Sequence, residues 1–129
     1  MKKYKAPLIS IITVVFNGEK YIEKTINSIL NQSYKNFEYI IIDGGSSDST
    51  LEKIGRYEKH IKHLVSEPDK GIYHAMNKGI KLSKGEFIGF LNSDDFFYKD
   101  TLMKLAEAII EKDFDYTLGP VDIIDENEN

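Results

Sequence analysis

The chain alternates between short apolar segments and longer segments in which apolar residues recur every three or four positions. The first segment, LISIITVVF at 8–16, is β-branched and apolar throughout, which is typical of a parallel strand buried on both faces. The segment behind it predicts a helix, because its apolar residues have helical spacing. Those residues are Ile22, Ile26, Ile29 and Leu30.

The same alternation continues along the chain. Further strands are predicted at FEYIIID (37–43), at IKHLVSE (61–67) and at FIGFL (87–91), and DYTLGPVDII (115–124) predicts a fifth. One predicted helix carries Leu51, Ile54 and Tyr57 behind Ser47 or Asp48 as its N-cap. A second has Ile72, Ala75, Met76, Gly79 and Ile80 on one face and is stopped by Gly85. A third runs over 101–112 with Asp100 as its cap and buries Leu102, Leu105, Ile109 and Ile110.

Strict alternation of strand and helix predicts an α/β fold. Right-handed βαβ units build a parallel sheet that is covered by helices on both faces. Ligand sites in such sheets lie beyond the carboxyl ends of the strands. The loops expected there are NGEK, DGGSSD, EPDKG and NSDDFF, and each is polar, small or acidic.

Composition narrows the class of protein. A chain of 129 residues with 41% hydrophobic and 29% charged residues predicts one soluble globular domain, or part of one. The net charge of -4 argues against a dedicated nucleic-acid binder. The absence of cysteine excludes disulfides and thiolate metal sites. With neither a signal peptide nor a membrane-spanning segment expected, the prediction is a cytoplasmic protein.

Several common chemistries do not fit the loops. The first strand is followed by the single Gly18 rather than by G-x-G-x-x-G, and neither a P-loop nor a G-x-S-x-G elbow is present. A receiver-type phosphoacceptor domain would need an acidic pair after the first strand, where this chain has Phe16 and Asn17.

Three carboxylates remain as candidate ligands. Asp43 ends the second predicted strand, and Asp94 and Asp95 follow the fourth. If those strands flank the first, the carboxylates meet across a crevice. Hard oxygen ligands suit Mg²⁺ or Mn²⁺, which bind a few carboxylates together with phosphate oxygens. The residues therefore suggest a metal–nucleoside diphosphate site.

Simpler interpretations stand beside this one. Asp43 also fits a turn cap, and Asp94 with Asp95 also fits a solvated loop before a helix. His60 and His63 are three residues apart, but the interleaved lysines favour a solvated face over a metal pair. Lys70 fits a phosphate contact and a plain loop charge equally well.

Four motifs together resemble a known family. They are SIITVVFN with SILNQSY, IIDGGSSDST, EPDKGIYHAMNKGI and GEFIGFLNSDD. In this order they resemble the inverting glycosyltransferases of family 2, in particular the bacterial enzymes of cell-surface polysaccharides. The resemblance implies a Rossmann-like GT-A nucleotide-diphospho-sugar transferase fold. It also implies that 1–129 form the N-terminal nucleotide-sugar-binding part, with the acceptor-binding half and the general base beyond Asn129.

The resemblance also assigns site residues. The segment 92–95 matches the family's D-x-D-type motif, in which Asp95 would bind Mg²⁺ or Mn²⁺ and Asp94 the ribose or the metal. The base of the nucleotide would lie against Val14, Val15, Phe16, Asp43 and Gly44. Three positions depart from the family pattern, since Gly44, Asn92 and His74 stand where many relatives have Asp. Because the aspartate that Gly44 replaces hydrogen-bonds the base in many relatives, weak discrimination between bases is expected here.

The implied activity is the transfer of a sugar, with inversion, from a nucleotide-sugar donor, foremost a UDP-sugar, to a saccharide or lipid-linked acceptor. The reaction would take place in the cytoplasm, and a longer protein would contact the inner face of the membrane. This chain alone is expected to be inactive and to self-associate through an exposed edge. The alternative is a non-catalytic module that binds nucleotides or nucleotide-sugars.

Overall fold

The computed structural model describes residues 5–112, which form four strands and four α-helices in alternation. The strands are β1 (Ile9–Val15), β2 (Phe37–Asp43), β3 (His63–Ser66) and β4 (Phe87–Phe90). The helices are α1 (Ile22–Leu30), α2 (Thr50–Gly55), α3 (Ile72–Leu82) and α4 (Thr101–Lys112), with a 3₁₀ turn at Glu58–His60. The predicted strand at 115–124 lies outside the described residues.

The four strands form one parallel sheet in the order β3-β2-β1-β4. Strand β1 is central, so that Ile11 lies opposite Tyr39 of β2 and opposite Gly89 of β4. The second and fourth strands therefore do flank the first. This order brings the loops after β1, β2 and β4 to one edge of the sheet.

Helices cover both faces of the sheet, as the alternation predicts. One face packs against α1, α2 and α4 through a large apolar cluster that includes Ile11, Ile41 and Leu102. The other face packs against α3 through a smaller cluster around Ile12 and Ala75. The predicted parallel α/β architecture is confirmed.

Gly79 and Gly85 allow α3 and the segment that follows it to pack close against β1. A Cβ on Gly79 would lie 2.6 Å from Cγ2 of Ile12, so a larger residue there would push α3 off the sheet. A Cβ on Gly85 would lie 2.6 Å from the backbone nitrogen of Ser10. The prediction that Gly85 stops the helix is wrong, because α3 already ends at Leu82 and Gly85 serves the contact with β1.

Two other predictions about burial need correction. The fourth strand was expected to be buried, but Ile88 and Phe90 are each 40% exposed because β4 is the outermost described strand on its side. The predicted apolar face of α3 is also narrower than expected. Ala75 and Gly79 are buried, whereas Ile72 and Ile80 are exposed.

The start of α2 also differs from the prediction. Ser49, not Ser47 or Asp48, precedes the helix, although the Asp48 carboxylate accepts a hydrogen bond from the Thr50 N–H at 2.9 Å. Between residues 5 and 112, no helix has the length and apolar character needed to cross a membrane.

Candidate functional site

A cleft of about 620 Å³ opens at the carboxyl end of β1. Its walls come from the end of β1, from the loops after β1, β3 and β4, and from the start of α3, in agreement with the expected position beyond the strand ends. The lining residues are Val14, Val15, Phe16, Asn17, Gly18, Lys20, Tyr21, Asp69, Gly71, Ile72, Ala75, Asn92, Ser93 and Asp94. Four residues assigned by the resemblance are among them, namely Val14, Val15, Phe16 and Asp94.

Asp43 is buried and is not among the residues that line the cleft. Its side chain is completely buried, and the two carboxylate oxygens accept four hydrogen bonds. The donors are the backbone N–H groups of Gly45 and Ser46 at 3.0 and 2.9 Å, the Ser46 hydroxyl at 2.5 Å and the Ser66 hydroxyl at 2.8 Å. These bonds fold the loop after β2 and tie it to the end of β3. Contact of Asp43 with a base stays a prediction, and the geometry favours the turn-cap interpretation.

The loop after β1 is bonded to the loop after β2. Asn17 adopts φ +50°, and its Oδ1 accepts the Ser47 N–H at 2.8 Å, while the Ser46 hydroxyl oxygen accepts the Asn17 N–H at 2.8 Å. Thr50 Oγ1 accepts the Gly18 N–H at 2.9 Å. These reciprocal bonds make the two loops one structural unit.

The loop after β4 is held by two polar side chains, one from Thr25 in α1 and one from Gln32 just beyond the end of α1. The Thr25 hydroxyl lies 2.9 Å from the Ser93 carbonyl oxygen and 2.6 Å from that of Asp95. Gln32 donates to the Tyr98 carbonyl oxygen at 2.6 Å and accepts the Leu102 N–H at 2.9 Å. Since Thr25 and Gln32 are buried, these bonds are shielded from water. Thr25 fixes the backbone of the acidic segment, and Gln32 fixes the far end of the same loop and the start of α4.

Asp94 and Asp95 present their carboxylates at the surface of this fixed loop. Both residues are exposed, and Asp94 lines the cleft while Asp95 follows just outside it. Partial burial and the neighbouring charge of Asp94 raise the pKa of Asp95 above its ordinary value. A pair of carboxylates that repel each other at the mouth of a cleft is a donor set that suits a hard divalent cation.

The three predicted carboxylates do not form one cluster. Within residues 5–112, no group of three or more His, Cys, Asp or Glu side chains is arranged to hold a metal ion. A cation at this site would therefore have Asp94 and Asp95 as its protein ligands and would need further oxygens from a bound diphosphate or water. Mg²⁺ commonly binds in this manner.

The loop after β3 supplies a carboxylate that the sequence analysis did not select. Asp69 is half-buried in the cleft wall, and its Oδ1 accepts the Gly71 N–H at 3.0 Å. His74 supports the same loop, because its Nδ1 accepts the Lys70 N–H at 2.8 Å. That bond gives a physical account of His74, since a carboxylate at this position offers the same kind of acceptor.

Other functional candidates were also missed by the sequence analysis. Lys20 lines the cleft and adds a positive charge to walls that also carry Asp94. Its Nζ lies 5.1 Å from the ring centroid of Tyr21. Lys70 is exposed and is not among the lining residues. Thr25, a polar residue on the otherwise apolar face of α1, was a usable signal, because buried polar side chains need partners. Asp69 carried no comparable signal, as aspartate is common in turns.

The family model for glycosyl transferase family 2 matches residues 10–129. The chain belongs to that family. The resemblance inferred from the four motifs is thereby confirmed. The cleft, with Asp94 and Asp95 at its mouth, is the candidate site of a family 2 glycosyltransferase domain.

Curated relatives agree with this assignment. The chain is 39% identical over 111 residues to the putative teichuronic acid biosynthesis glycosyltransferase TuaG of Bacillus subtilis, a match that covers 82% of this chain and 43% of TuaG. It is 35% identical over 121 residues to WfgD of Escherichia coli, named a UDP-Glc:alpha-D-GlcNAc-diphosphoundecaprenol beta-1,3-glucosyltransferase. That match covers 93% of this chain and 48% of WfgD. The chain thus spans less than half the length of these relatives.

Solved structures establish the GT-A fold. Staphylococcus aureus TarS in complex with UDP-GlcNAc superposes with a TM-score of 0.73 at 33% identity, over 78% of this chain and 30% of the TarS chain. The mannosyltransferase PcManGT of Pyrobaculum calidifontis, in complex with GDP-Man and Mn²⁺, has a TM-score of 0.76 at 24% identity. This second match covers 84% of this chain and 34% of PcManGT and supports the fold.

Proposed function

We propose that this chain binds the nucleoside diphosphate of a UDP-sugar in the cleft at the end of β1, as the donor half of a sugar-transfer reaction. The observation that carries the proposal is the arrangement of Asp94 and Asp95 on a fixed loop beside an open, partly apolar cleft. The complex of the related TarS with UDP-GlcNAc and the name of WfgD both support a UDP-sugar as the donor.

The nucleoside would occupy the apolar part of the cleft. Val14, Val15 and Ala75 offer apolar surface, and Phe16, which is 65% exposed, offers an aromatic face at the entrance. The diphosphate would lie toward the loop after β4. Asp94 and Asp95 repel phosphate, so binding on that side needs a cation between the carboxylates and the diphosphate.

Mg²⁺ or Mn²⁺ fits the donor set of Asp94 and Asp95 and, when bound, would neutralise charge on the departing diphosphate. The chain's own contribution is to hold the backbone of the acidic segment through Thr25, while Gln32 holds the end of the same loop at Tyr98. Lys20, which also lines the cleft, adds a positive charge.

Transfer would proceed as one displacement with inversion. The oxygen of an acceptor hydroxyl forms a bond to the anomeric carbon as the bond to the diphosphate breaks, and a general base takes the hydroxyl proton. The carboxylates described in the cleft surround the donor, and we assign none of them as this base. A saccharide or lipid-linked acceptor is proposed, with support from the undecaprenol-linked acceptor in the name of WfgD.

Calorimetric titration with UDP tests the donor site directly. We expect UDP to bind at least about tenfold more tightly with Mn²⁺ than with chelator, because the cation neutralises both partners. Asp95→Asn should remove most of that difference while the fold persists, since the side chain is exposed. Glu58→Gln removes one exposed charge in the 3₁₀ turn and is the matched control. Equal UDP affinity with Mn²⁺ and with chelator would contradict the proposal.

Two further parts of the proposal concern the cell. We place the reaction in the cytoplasm, in contact with the inner face of the membrane, which fractionation of the native protein tests. Self-association through an exposed edge stays a prediction that the molecular mass in solution tests. The exposed side chains of Ile88 and Phe90 on β4, the outermost described strand on its side, support it.

A further inference from the structure

A second cavity opens at the opposite edge of the sheet from the cleft described above. Its volume is about 730 Å³, and it lies between the end of α1, the start of β2 and the stretch that joins α2 to the 3₁₀ turn. Phe37, the first residue of β2, lines this cavity, whereas the cleft lies beyond the carboxyl ends of the strands. The seven-residue strand therefore separates the two by about 20 Å.

The charged side of this cavity is basic. Lys35, Arg56 and His60 line it and are exposed, and no described aspartate or glutamate is among the lining residues. The Lys35 ammonium donates to the Leu30 carbonyl oxygen at 3.2 Å, and Nη1 of Arg56 lies 2.8 Å from the Glu23 carboxylate. Because an ammonium has three donors and a guanidinium five, both cations keep N–H groups for a ligand.

The uncharged side of the cavity combines apolar surface with amides. Leu30, Phe37 and Tyr57 are half-buried and pack against the large apolar cluster, which fixes their positions. Asn27 and Asn31 add side-chain amides, and Nδ2 of Asn27 donates to the Tyr57 hydroxyl at 3.1 Å. The cavity thus offers donors and acceptors for hydroxyl groups beside an aromatic surface.

The shape and charge of the cavity fit a discrete anionic ligand. A membrane attracts basic residues that are spread over a helix face or an outward-facing segment. Here the cations line a concavity, and its volume lies within the range of about 300 to 1,000 Å³ that is usual for small-molecule sites. The planar guanidinium of Arg56 suits either a carboxylate or a phosphate. The amides and the apolar side suit the hydroxyl and C–H groups of a sugar.

We infer that this cavity binds an acidic saccharide, that is, a sugar unit that carries a carboxylate or a phosphate. The acid group would accept hydrogen bonds from Lys35 and Arg56, and the sugar ring would lie against Phe37 and Tyr57. The inference goes beyond the proposed function, because it concerns a site at the other edge of the sheet. Such a site would hold an acidic glycan on the protein and leave the donor cleft open.

Nuclear magnetic resonance titration of the ¹⁵N-labelled chain with glucuronate and, separately, with glucose 6-phosphate tests this inference. We expect saturable shifts of the backbone signals of Asn31, Phe37 and Tyr57 with at least one of the two acids. Glucose should bind about tenfold more weakly or worse, because it lacks the group that accepts charge-assisted hydrogen bonds. The tighter ligand identifies the acid group as carboxylate or phosphate. Acetate or inorganic phosphate binding as tightly as the matching sugar acid would overturn the saccharide assignment.

Variants locate the binding in this cavity. Lys35→Gln and Arg56→Gln each remove one cation and should weaken binding of the sugar acid about fivefold or more. Lys59→Gln is the matched control, because Lys59 is exposed in the same 3₁₀ turn but does not line the cavity. The affinity for UDP with Mn²⁺ should be unchanged in all three variants.

The remaining outcomes separate this inference from the proposed function. If neither sugar acid shifts the cavity signals, or if Lys59→Gln weakens binding as much as Lys35→Gln does, the inference is wrong, whatever the result with UDP. Failure of UDP to bind with Mn²⁺ contradicts the proposed function and leaves the cavity site standing. Binding to phosphatidylglycerol vesicles that Arg56→Gln abolishes, without binding of either sugar acid, would assign this surface to the membrane instead.

Discussion

Aspartates stand at the end of β2 and in the loop after β4, yet the two positions use them in opposite ways. Asp43 is completely buried, and four donors surround its carboxylate. Asp94 and Asp95 are exposed, and their loop is held instead through its backbone carbonyl groups by Thr25 and Gln32. One loop thus uses its carboxylate to fold, while the other is folded by its neighbours.

This difference separates scaffold from ligand. A carboxylate whose lone pairs are occupied inside the protein contributes to stability and has little capacity left for a ligand. A carboxylate with an unfavourable charged neighbour, on a backbone that other residues hold, is available for a cation at low structural cost. The predictions below test this comparison through stability and binding.

The largest expected effect is on stability at Asp43. Replacement by Ala leaves two backbone N–H groups and two hydroxyls without their acceptor, so the free energy of unfolding should fall by about 3 kcal/mol. Urea denaturation measures it. Asp94→Ala is the control and should change the free energy by less than about 0.5 kcal/mol, as expected at an exposed site. Equal losses in both variants would mean that the two loops do not differ as described.

A smaller effect is expected at Thr25, which holds the acidic segment. Thr25→Val keeps the shape of the side chain but removes the donor to the carbonyl oxygens of Ser93 and Asp95. It should reduce the free energy of unfolding by about 1 kcal/mol. Because the carboxylates then lose their fixed backbone, the ratio of UDP affinities with Mn²⁺ and with chelator should fall severalfold.

Thr13→Val provides the matched control for Thr25. Thr13 is also buried, and its hydroxyl oxygen accepts a hydrogen bond from Tyr39 at 2.8 Å, but it lies within β1 and away from the acidic loop. We expect a similar loss of stability, but an unchanged ratio of the UDP affinities with Mn²⁺ and with chelator. A fall of that ratio in both variants would attribute the effect to general destabilisation instead of to the loop.

Much of the architecture followed from the sequence because it depends on local periodicity. Strand β2 was predicted at its observed bounds, and the buried face of α1 at Ile22, Ile26 and Ile29 was correct. Strand pairing order decided the exposure of Ile88 and Phe90, which no local pattern in β4 could reveal. The sequence analysis gave the strand order only as the condition under which the three carboxylates would meet.

The site was predicted less completely than the fold, for a physical reason. The motifs located Asp94 and Asp95, but the sequence could not distinguish the buried Asp43 from an exposed ligand, because all three stand at or shortly after the end of a strand. Asp69 lies beside Gly44, 25 residues earlier in the chain, only after β2 and β3 have paired, although its bond to the Gly71 N–H is local. Contacts of this kind depend on the assembled sheet.

The smallest expected effect is on the pH dependence of stability at Asp95. Its pKa is raised in the folded protein by partial burial and by the charge of Asp94, so the folded state holds the proton more tightly than the unfolded state does. Ionisation of Asp95 therefore costs stability above the raised pKa, and the cost disappears below the ordinary aspartate pKa of about 3.9.

Asp95→Asn lacks this cost. Without metal, the variant should be more stable than the parent at neutral pH by less than about 1 kcal/mol, because the site is largely exposed. Thermal unfolding of both proteins in chelator from pH 4 to pH 8 measures the difference, which should shrink as the pH falls toward 4. A variant that is less stable than the parent at neutral pH would mean that the Asp95 carboxylate stabilises its loop, as Asp43 does, and the contrast between the two loops would not hold.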